Sequence, residues 1–467
     1  MSAAFSAESN TAVAERPARP KPGAPRPYHF PRFERGTLPN GLRLVVAPIA
    51  KLPIVTVCVL VEGGAVCDPP GRAGVAQLTA KLLLEGTTAA DGAAITDRFE
   101  RLGASIEAHA DWDAATITMT TLTENLEPAF ALLGDVLRTP AFNQREVERL
   151  KGERLAELLQ LRAEPRGLAD ELFSRFLYDA SSRYAHPDGG DDASVQAIGR
   201  EDVARFYGER YSPAAMTLIA AGDIGADTIE RLARNALGDW TGSAPRPTLS
   251  SDAPARHSRA VHIVAKTDAP QSELRVGHVG LARRNPDYFP VVIMNAVLGG
   301  LFSSRINLNL REVHGYTYGA HSYFDWRRQS GPWVVATAVE SDVTQPAALE
   351  IIKEIDRIRA EQITAEELSL ATSYLDGVFP IRYETTSAIA SALASLVVYD
   401  LPDDWYDAYR ERVRSVTRED VLTAAQKHLH PEMLQMVVVG NPTAVRERLE
   451  GVAFGPVRMY DTAGHPL

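Results

Sequence analysis

Ile198-Gly-Arg-Glu-Asp-Val-Ala-Arg-Phe-Tyr-Gly-Glu-Arg-Tyr-Ser-Pro213, running on into Ala214-Ala-Met-Thr-Leu-Ile-Ala-Ala-Gly222, decides the fold, because the chain repeats it. Val416-Thr-Arg-Glu-Asp-Val-Leu-Thr-Ala-Ala-Gln-Lys-His-Leu-His-Pro431, then Glu432-Met-Leu-Gln-Met-Val-Val-Val-Gly440, aligns with it without a gap, Ile198 falling on Val416. In both copies a polar start opens a helix, a proline stops it, and a short apolar strand ends at a glycine. Four matched residues can arise by chance; a helix start, its stop and the following strand in step point to duplicated domains.

The duplication sets the boundaries outward from these two stretches. Lobe one is expected over 30–240, opening on the strand-like runs Leu42-Arg-Leu-Val-Val-Ala47 and Ile54-Val-Thr-Val-Cys-Val-Leu-Val61. Residues 241–258, rich in Ser, Pro and Thr, read as a linker. Lobe two is expected over 259–450, opening on Val261-His-Ile-Val-Ala265, with a tail over 451–467. Ile106–Ala110 and Thr116–Thr120 read as neighbouring strands, and 145–163 and 346–360 as helices. An α+β fold with helices on one side of each sheet accounts for this alternation.

A chain of 467 residues with 45% apolar residues suits two cores rather than one. The net charge of -11 and the lack of a basic stripe argue against a nucleic-acid binder. No run approaches 18 uninterrupted apolar residues, so no membrane span is expected. Residues 1–29 read as a flexible Pro/Ala-rich leader without the apolar core of a signal peptide. That favours the cytoplasm, or the periplasm if an export signal has already been removed. Cys58 and Cys67 flank Gly63-Gly64; a tight hairpin there would allow a disulfide, and two unlinked thiols are the plainer reading.

Two further segments carry the functional signal. The first is Gly74-Val-Ala-Gln-Leu-Thr-Ala-Lys-Leu-Leu-Leu-Glu-Gly-Thr87, read as a helix ending at Gly86; the second is Leu298-Gly-Gly-Leu-Phe-Ser-Ser-Arg-Ile-Asn-Leu-Asn-Leu-Arg-Glu-Val-His-Gly-Tyr-Thr-Tyr-Gly319. Together they resemble the M16 (pitrilysin-like, mitochondrial-processing-peptidase-like) peptidase family. The resemblance implies two homologous LuxS/MPP-like metallohydrolase domains, each a mostly antiparallel sheet with helices packed on it. In that family the first segment carries His-x-x-Glu-His, two imidazoles for one zinc ion with a general base between them. Here those positions hold Gln77, Ala80 and Lys81, so two imidazoles and the base are replaced by an amide, a methyl group and an ammonium. The family's third ligand, a Glu on the following long helix, falls on Glu157, either retained or simply one acid on a charged helix. A Lys81–Glu157 ion pair is the expected filling of the vacated site.

In the second segment the resemblance puts the family's arginine on Arg311 and its tyrosine on Tyr318. Those groups hold the substrate backbone and the oxyanion, roles that suit a forked guanidinium and a phenol donor. The alternative leaves Arg311 in a local ion pair with Glu312 and Tyr318 packed on a strand. Phe379-Pro380 also resembles a lobe-two feature of the family. The nine histidines between His109 and His430 lie scattered, none paired at i,i+4 beside an acid. The resemblance therefore implies a chain without cofactor, acting as a catalytically incomplete subunit. Its partner would be a zinc-binding M16 subunit with an intact His-x-x-Glu-His, its substrate a peptide, and Arg311 and Tyr318 its contribution. A structural, core-protein-like homologue is the other reading.

Overall fold

The computed structural model describes residues 27–242, 244, 247, 257–452 and 454–467. Most of the expected leader and most of the expected linker lie outside the described residues.

In lobe one the strands are β1 (Glu34–Thr37), β2 (Arg43–Pro48), β3 (Ile54–Val61), β4 (Ser105–Ala110), β5 (Ala115–Leu122) and β6 (Met216–Gly222). They form one sheet in the order β1-β2-β6-β3-β5-β4. The helices are α1 (Val75–Leu82), α2 (Gly92–Arg101), α3 (Leu126–Arg138), α4 (Gln144–Ala163), α5 (Pro165–Leu177), α6 (Asp192–Ala197), α7 (Arg200–Arg210) and α8 (Ala226–Leu237). Lobe two repeats the plan. Its strands are β7 (Ala260–Ala265), β8 (Gln271–Val279), β9 (Ala320–Phe324), β10 (Pro332–Glu340), β11 (Gln435–Gly440) and β12 (Val457–Tyr460), ordered β12-β7-β11-β8-β10-β9. Its helices are α9 (Tyr288–Asn295), α10 (Arg305–Asn307), α11 (Thr344–Ala360), α12 (Ala365–Arg382), α13 (Thr386–Val398), α14 (Trp405–Ser415), α15 (Arg418–His428) and α16 (Pro442–Glu450).

The quoted repeat is α7–β6 in one lobe and α15–β11 in the other. In both helices an aspartate reaches back to the first amide: Asp202 accepts from the Gly199 amide at 3.0 Å, and Asp420 from the Thr417 amide at 2.9 Å, where the Thr417 hydroxyl completes a capping box by accepting from the Asp420 amide. Each strand then enters the middle of its sheet, parallel to one neighbour and antiparallel to the other. Ile106 pairs with Met119 across the antiparallel β4–β5 ladder, as the strand reading required.

Helices cover both faces of each sheet, not one. Val55, Val57 and Val59 of β3 pack under lobe one's own helices. Cys58 and Leu60, on the opposite face, join Ile389 and Leu393 of α13, a helix of lobe two. Reciprocally, Leu168, Leu172 and Phe176 of α5 pack on Val264, Val437 and Val439 of lobe two. The apolar run Ile54–Val61 is thus a strand buried on both sides, which erases the one-face alternation of a half-exposed strand. Each lobe lends one helix to the other's sheet.

The hairpin tips of the two lobes also meet. Trp112, between β4 and β5, lies between the Arg183 and Arg327 guanidinium groups, 5.2 and 4.1 Å from its ring centre. Beside it, buried Asp113 accepts the Arg328 amide at 2.8 Å through Oδ2, while its Oδ1 has no hydrogen-bond partner.

Two further expectations change, the tail and the end of the first helix, while the plainer reading of the cysteines as unlinked thiols holds. The tail segment contributes β12 to the second sheet, whereas lobe one's outer strand β1 comes from the opposite end of the chain and runs antiparallel. Gly63-Gly64 leads into a 3-10 turn at Ala65–Cys67 rather than a returning strand, so both cysteines are free thiols. The helix expected to reach Gly86 ends at Leu82, where the backbone tightens: the Leu83 amide bonds to the Ala80 carbonyl, and Gly86 takes φ 146°. One helical stretch, Tyr288–Val313, is long and apolar enough to cross a membrane, but 61% of its apolar window is buried inside the protein and Leu301 breaks it with an extended backbone.

Candidate functional site

The helix α1 begins under pressure from a loop. Gly74, its N-cap, holds φ 96°, and a Cβ there would meet the Gly189 carbonyl oxygen at 2.5 Å. The Gly189–Gly190 loop therefore closes down on the first turn of α1. Gln77 and Lys81, four residues apart, stand on one side of the helix, while Ala80 is fully buried. Opposite stands α4 with Lys151, Arg154 and Glu157 along one face.

The structure brings Lys81 and Glu157 together loosely: Nζ lies 3.9 Å from Oε1, in ion-pair range but without a hydrogen bond, and the side chains are 40% and 51% exposed. A pair so exposed is worth about 0–1 kcal/mol. Glu157 has a closer cation in Arg154, whose Nη1 donates to Oε2 at 3.2 Å. The same guanidinium donates through Nε to the Gly189 carbonyl at 3.1 Å and through Nη2 to that of Gly190 at 3.3 Å, stitching α4 to the loop. Lys151, nearly buried, reaches only Glu148, at 3.3 Å. Gln77, Lys81, Lys151, Arg154 and Gly189 line a cleft of about 20 Å³.

This donor set does not fit a zinc ion. Zinc takes imidazole, thiolate or carboxylate; here an amide and three cations surround the place, and the one carboxylate of the expected set is engaged by a guanidinium. Among the described residues no group of three or more His, Cys, Asp and Glu side chains is placed to hold a metal. Sequence reasoning missed Arg154, although its place one helical turn before Glu157 was the available signal.

In lobe two the chain between α9 and β9 is irregular. Its backbone is π-helical over Ala296–Gly300 and again over Leu308–Val313, a conformation frequent at functional sites. The segment is nonetheless rigidly tied. Buried Arg305 makes a forked pair with Glu367 at 2.6 and 2.8 Å. Buried Asn307 donates to the Phe302 carbonyl at 2.6 Å and accepts the Ala320 amide at 3.0 Å. On this frame two large side chains point outward, with the half-exposed Arg311 beside them. Tyr318 is 94% exposed, Phe302 71%, and the Arg311 guanidinium lies over the Phe302 ring, 4.6 Å from its centre. Arg311 Nε also approaches Glu312 at 3.4 Å, the local ion pair weighed above; Tyr318 is not packed on a strand.

Phe302 and Tyr318 stand on the wall of a cavity of about 440 Å³. Arg166, from the start of α5, Arg275 and Glu273 supply its charges, and His321, on the outermost strand β9, adds an imidazole. Arg275 is spent on Asp170 and Glu273, at 2.5 and 2.9 Å. Burial, then Arg275 and Arg166, hold the His321 imidazole below its ordinary pKa. The structure thus gathers the sequence-derived residues at two places: Gln77, Ala80, Lys81 and Glu157 at the lobe-one cleft, and Arg311 and Tyr318 beside the lobe-two cavity.

Comparison with known proteins points one way. The family profile described as "Insulinase (Peptidase family M16)" matches residues 44–184, and that described as "Peptidase M16 inactive domain" matches residues 197–375. An uncharacterized zinc protease of Streptomyces coelicolor is 23% identical over 397 residues, covering 84% of this chain and 86% of its own length. A protein of Helicobacter pylori named as a non-peptidase homolog is 23% identical over 396 residues, covering 84% of this chain and 90% of its own. The crystal structure of a peptidase M16 inactive domain from Pseudomonas fluorescens superposes with a TM-score of 0.82 at 24% identity, over 88% of this chain and 98% of that one.

Proposed function

The chain belongs to the M16 peptidase family, and from that premise we propose that it hydrolyses nothing alone and serves as a peptide-holding M16 chain. One observation carries this: the three positions that should supply two imidazoles and a base hold Gln77, Ala80 and Lys81, with Arg154 laid across the remaining acid. A cation site rebuilt from cations has given up metal hydrolysis.

The finer reading is that Arg311 and Tyr318 act on a second subunit. Both sit on a segment anchored by Arg305–Glu367; Tyr318 stands clear of the surface, and Arg311 is half-exposed with only Phe302 and the neighbouring Glu312 against it. A guanidinium held over the Phe302 ring keeps its forked donors for a peptide carbonyl or carboxylate. A phenol in the open can donate one directed bond to an oxyanion. β9 ends its sheet, but its outer edge is partly taken, since Asn307 accepts the Ala320 amide and Asn295 donates to the Ser322 carbonyl, so a peptide would meet the Arg311 and Tyr318 side chains rather than that edge. A zinc-binding M16 subunit with an intact His-x-x-Glu-His would bring the ion and the base that this chain lacks.

The second reading, a structural or peptide-binding homologue with no catalytic partner, is favoured by the non-peptidase relative and by the inactive-domain profile over 197–375. Co-purification with a zinc-motif partner separates the two. Under the finer reading Arg311→Ala or Tyr318→Phe slows turnover of the assembled pair by about 10²–10³-fold while its zinc content stays unchanged. Unchanged turnover in an intact assembly leaves the structural reading. One tightly held zinc ion in the chelator-rinsed single chain would overturn both.

A further inference from the structure

We infer that α12 carries a self-pairing face, on which a second copy of this chain docks in antiparallel orientation. Leu370, Tyr374, Gly377 and Ile381 fall within about 60° of one another around the helix. The three large side chains among them are 50%, 50% and 70% exposed, while Ala371, Leu375, Asp376 and Phe379 turn the other way into the protein. Apolar residues scattered singly over a surface need no partner. Three on one arc of one helix, with no charge between them, have the composition of an interface core.

The glycine is a second, independent observation. Gly377 stands in the middle of α12, where glycine weakens a helix, yet a Cβ there would meet nothing within 4 Å. Nothing in its own chain therefore requires the missing side chain. Gly152 in α4 and Gly208 in α7 are equally unencumbered, but neither has large exposed apolar side chains on both sides along its own face. Gly377 does: Tyr374 lies one turn before it and Ile381 one turn after, leaving a gap between them that an approaching side chain can fill.

The spacing names the occupant. The four residues are separated by four, three and four positions, an order that reads the same from either end. Two copies laid antiparallel about a two-fold axis therefore set Leu370 of each against Ile381 of the other. The same axis sets each Tyr374 ring over the bare backbone of the other copy's Gly377, large against small twice over. Ser373 and Val378 flank the seam at its centre, opposite each other and uncharged. Charged groups come only at the ends, where Glu366 and the Arg305-bound Glu367 of one copy face Arg382 and Glu384 of the other. Each end keeps one negative charge, in solvent and open to screening, while the helix termini meet there with opposed dipoles. An unlike partner would give such a mirrored stripe no meaning.

Sedimentation equilibrium of the full-length chain tests this. One helix pair falls below the roughly 1,200 Å² of a standard interface, so a dissociation constant of about 1–100 μM is expected. Gly377→Leu has room for its side chain and brings a better helix former. It should keep or raise the melting temperature while weakening dimerisation at least about 10-fold, which separates a blocked seam from a damaged fold. Tyr374→Asp should weaken it as much. Exchanging the two, Tyr374→Gly with Gly377→Tyr, swaps large and small across the same seam and should restore most of the lost affinity. A folded wild-type chain that stays monomeric at about 500 μM overturns the inference, as does a dimer that Gly377→Leu leaves intact. Tyr374→Asp that leaves the chain's own association unchanged but abolishes co-purification with a zinc-motif partner would assign the stripe to that partner, and equally overturns it. Turnover of the assembled pair is a separate readout, so the role of Arg311 and Tyr318 stands or falls on its own.

Discussion

Lobe one and lobe two have the same strand order and spend their polar residues in opposite ways. In lobe one the chemistry-bearing side of α1 and α4 has turned inward: Arg154 is tied to Gly189, Gly190 and Glu157, and Lys81 leans toward the same acid. In lobe two the internal ties belong to Arg305 and Asn307, and their product is outward exposure of Phe302 and Tyr318, with Arg311 half-exposed over the Phe302 ring. One copy of the duplicated unit has been silenced by adding contacts; the other has been kept available by anchoring its frame and leaving its tips free. Duplication makes this division possible because the two lobes stabilise each other through α5 and α13, so a site can be rewritten without dissolving its lobe.

That mutual support can be broken directly. Phe176 on α5 is buried in lobe two's surface, stacked on His262 at 4.3 Å and tilted against Tyr460 at 4.4 Å between ring centres. Phe176→Ala should cost about 3–5 kcal/mol. Because the lost contacts belong to both lobes, denaturant unfolding followed at one lobe and at the other should shift together. A variant in which only one lobe's transition moves would show that the helix exchange does not couple them.

The lobes should also answer acid with opposite signs. His278 in lobe two is buried and held neutral: Nδ1–H donates to the Val279 carbonyl at 2.8 Å, and Nε2 accepts the His430 amide at 3.1 Å. Burial pushes its pKa down to about 4. Its contribution to stability is therefore complete above the unfolded value near 6.5 and is lost as the pH falls through about 4, roughly 2–4 kcal/mol in all. Chemical denaturation at neutral pH and near pH 4 measures it, and His278→Gln should flatten that slope.

Asp113, at the lobe-one hairpin tip, behaves the other way. Burial raises its pKa to about 6. The folded state binds its proton more tightly than the unfolded chain, so its favourable contribution is present below the unfolded value near 3.9 and lost as the pH rises through about 6. Asp113→Asn keeps an acceptor for the Arg328 amide and removes the buried charge. It should raise stability by about 1–3 kcal/mol at pH 8 and leave it unchanged near pH 4. A destabilised variant at pH 8 would mean that the Arg327 and Arg328 charges outweigh desolvation at this junction.

How much of this was legible in the sequence depends on the range of the interaction. The α7–β6 and α15–β11 units could be read because capping, proline stops and apolar strands are local. The Ile54–Val61 run gave a strand but concealed that its second face is covered from 330 residues away, as the Thr56–Thr386 hydroxyl contact records. Arg311 and Tyr318 were singled out only through the resemblance of their segment to the family's, whereas Phe302, over which Arg311 lies, carried no signal because a ring beneath a guanidinium is set by tertiary geometry. The same applies at the cleft: Gln77, Ala80 and Lys81 announce a loss, but what replaced it depends on Arg154 reaching a loop 35 residues further on.

The smallest effect sharpens the comparison most. If lobe one's Lys81–Glu157 contact were the support of its lobe, Glu157→Gln would destabilise the chain as removal of a buried partner does, by about 3–5 kcal/mol. The pair is half exposed and 3.9 Å long, and Arg154 retains the two loop carbonyls when Glu157 is neutralised. The expected loss is therefore under about 1 kcal/mol in urea unfolding, and smaller still in high salt. A cost of several kcal/mol would mean that the carboxylate organises the cleft as a ligand once organised it. A negligible cost is what a lobe braced by Arg154 requires, with Glu157 dispensable to that brace.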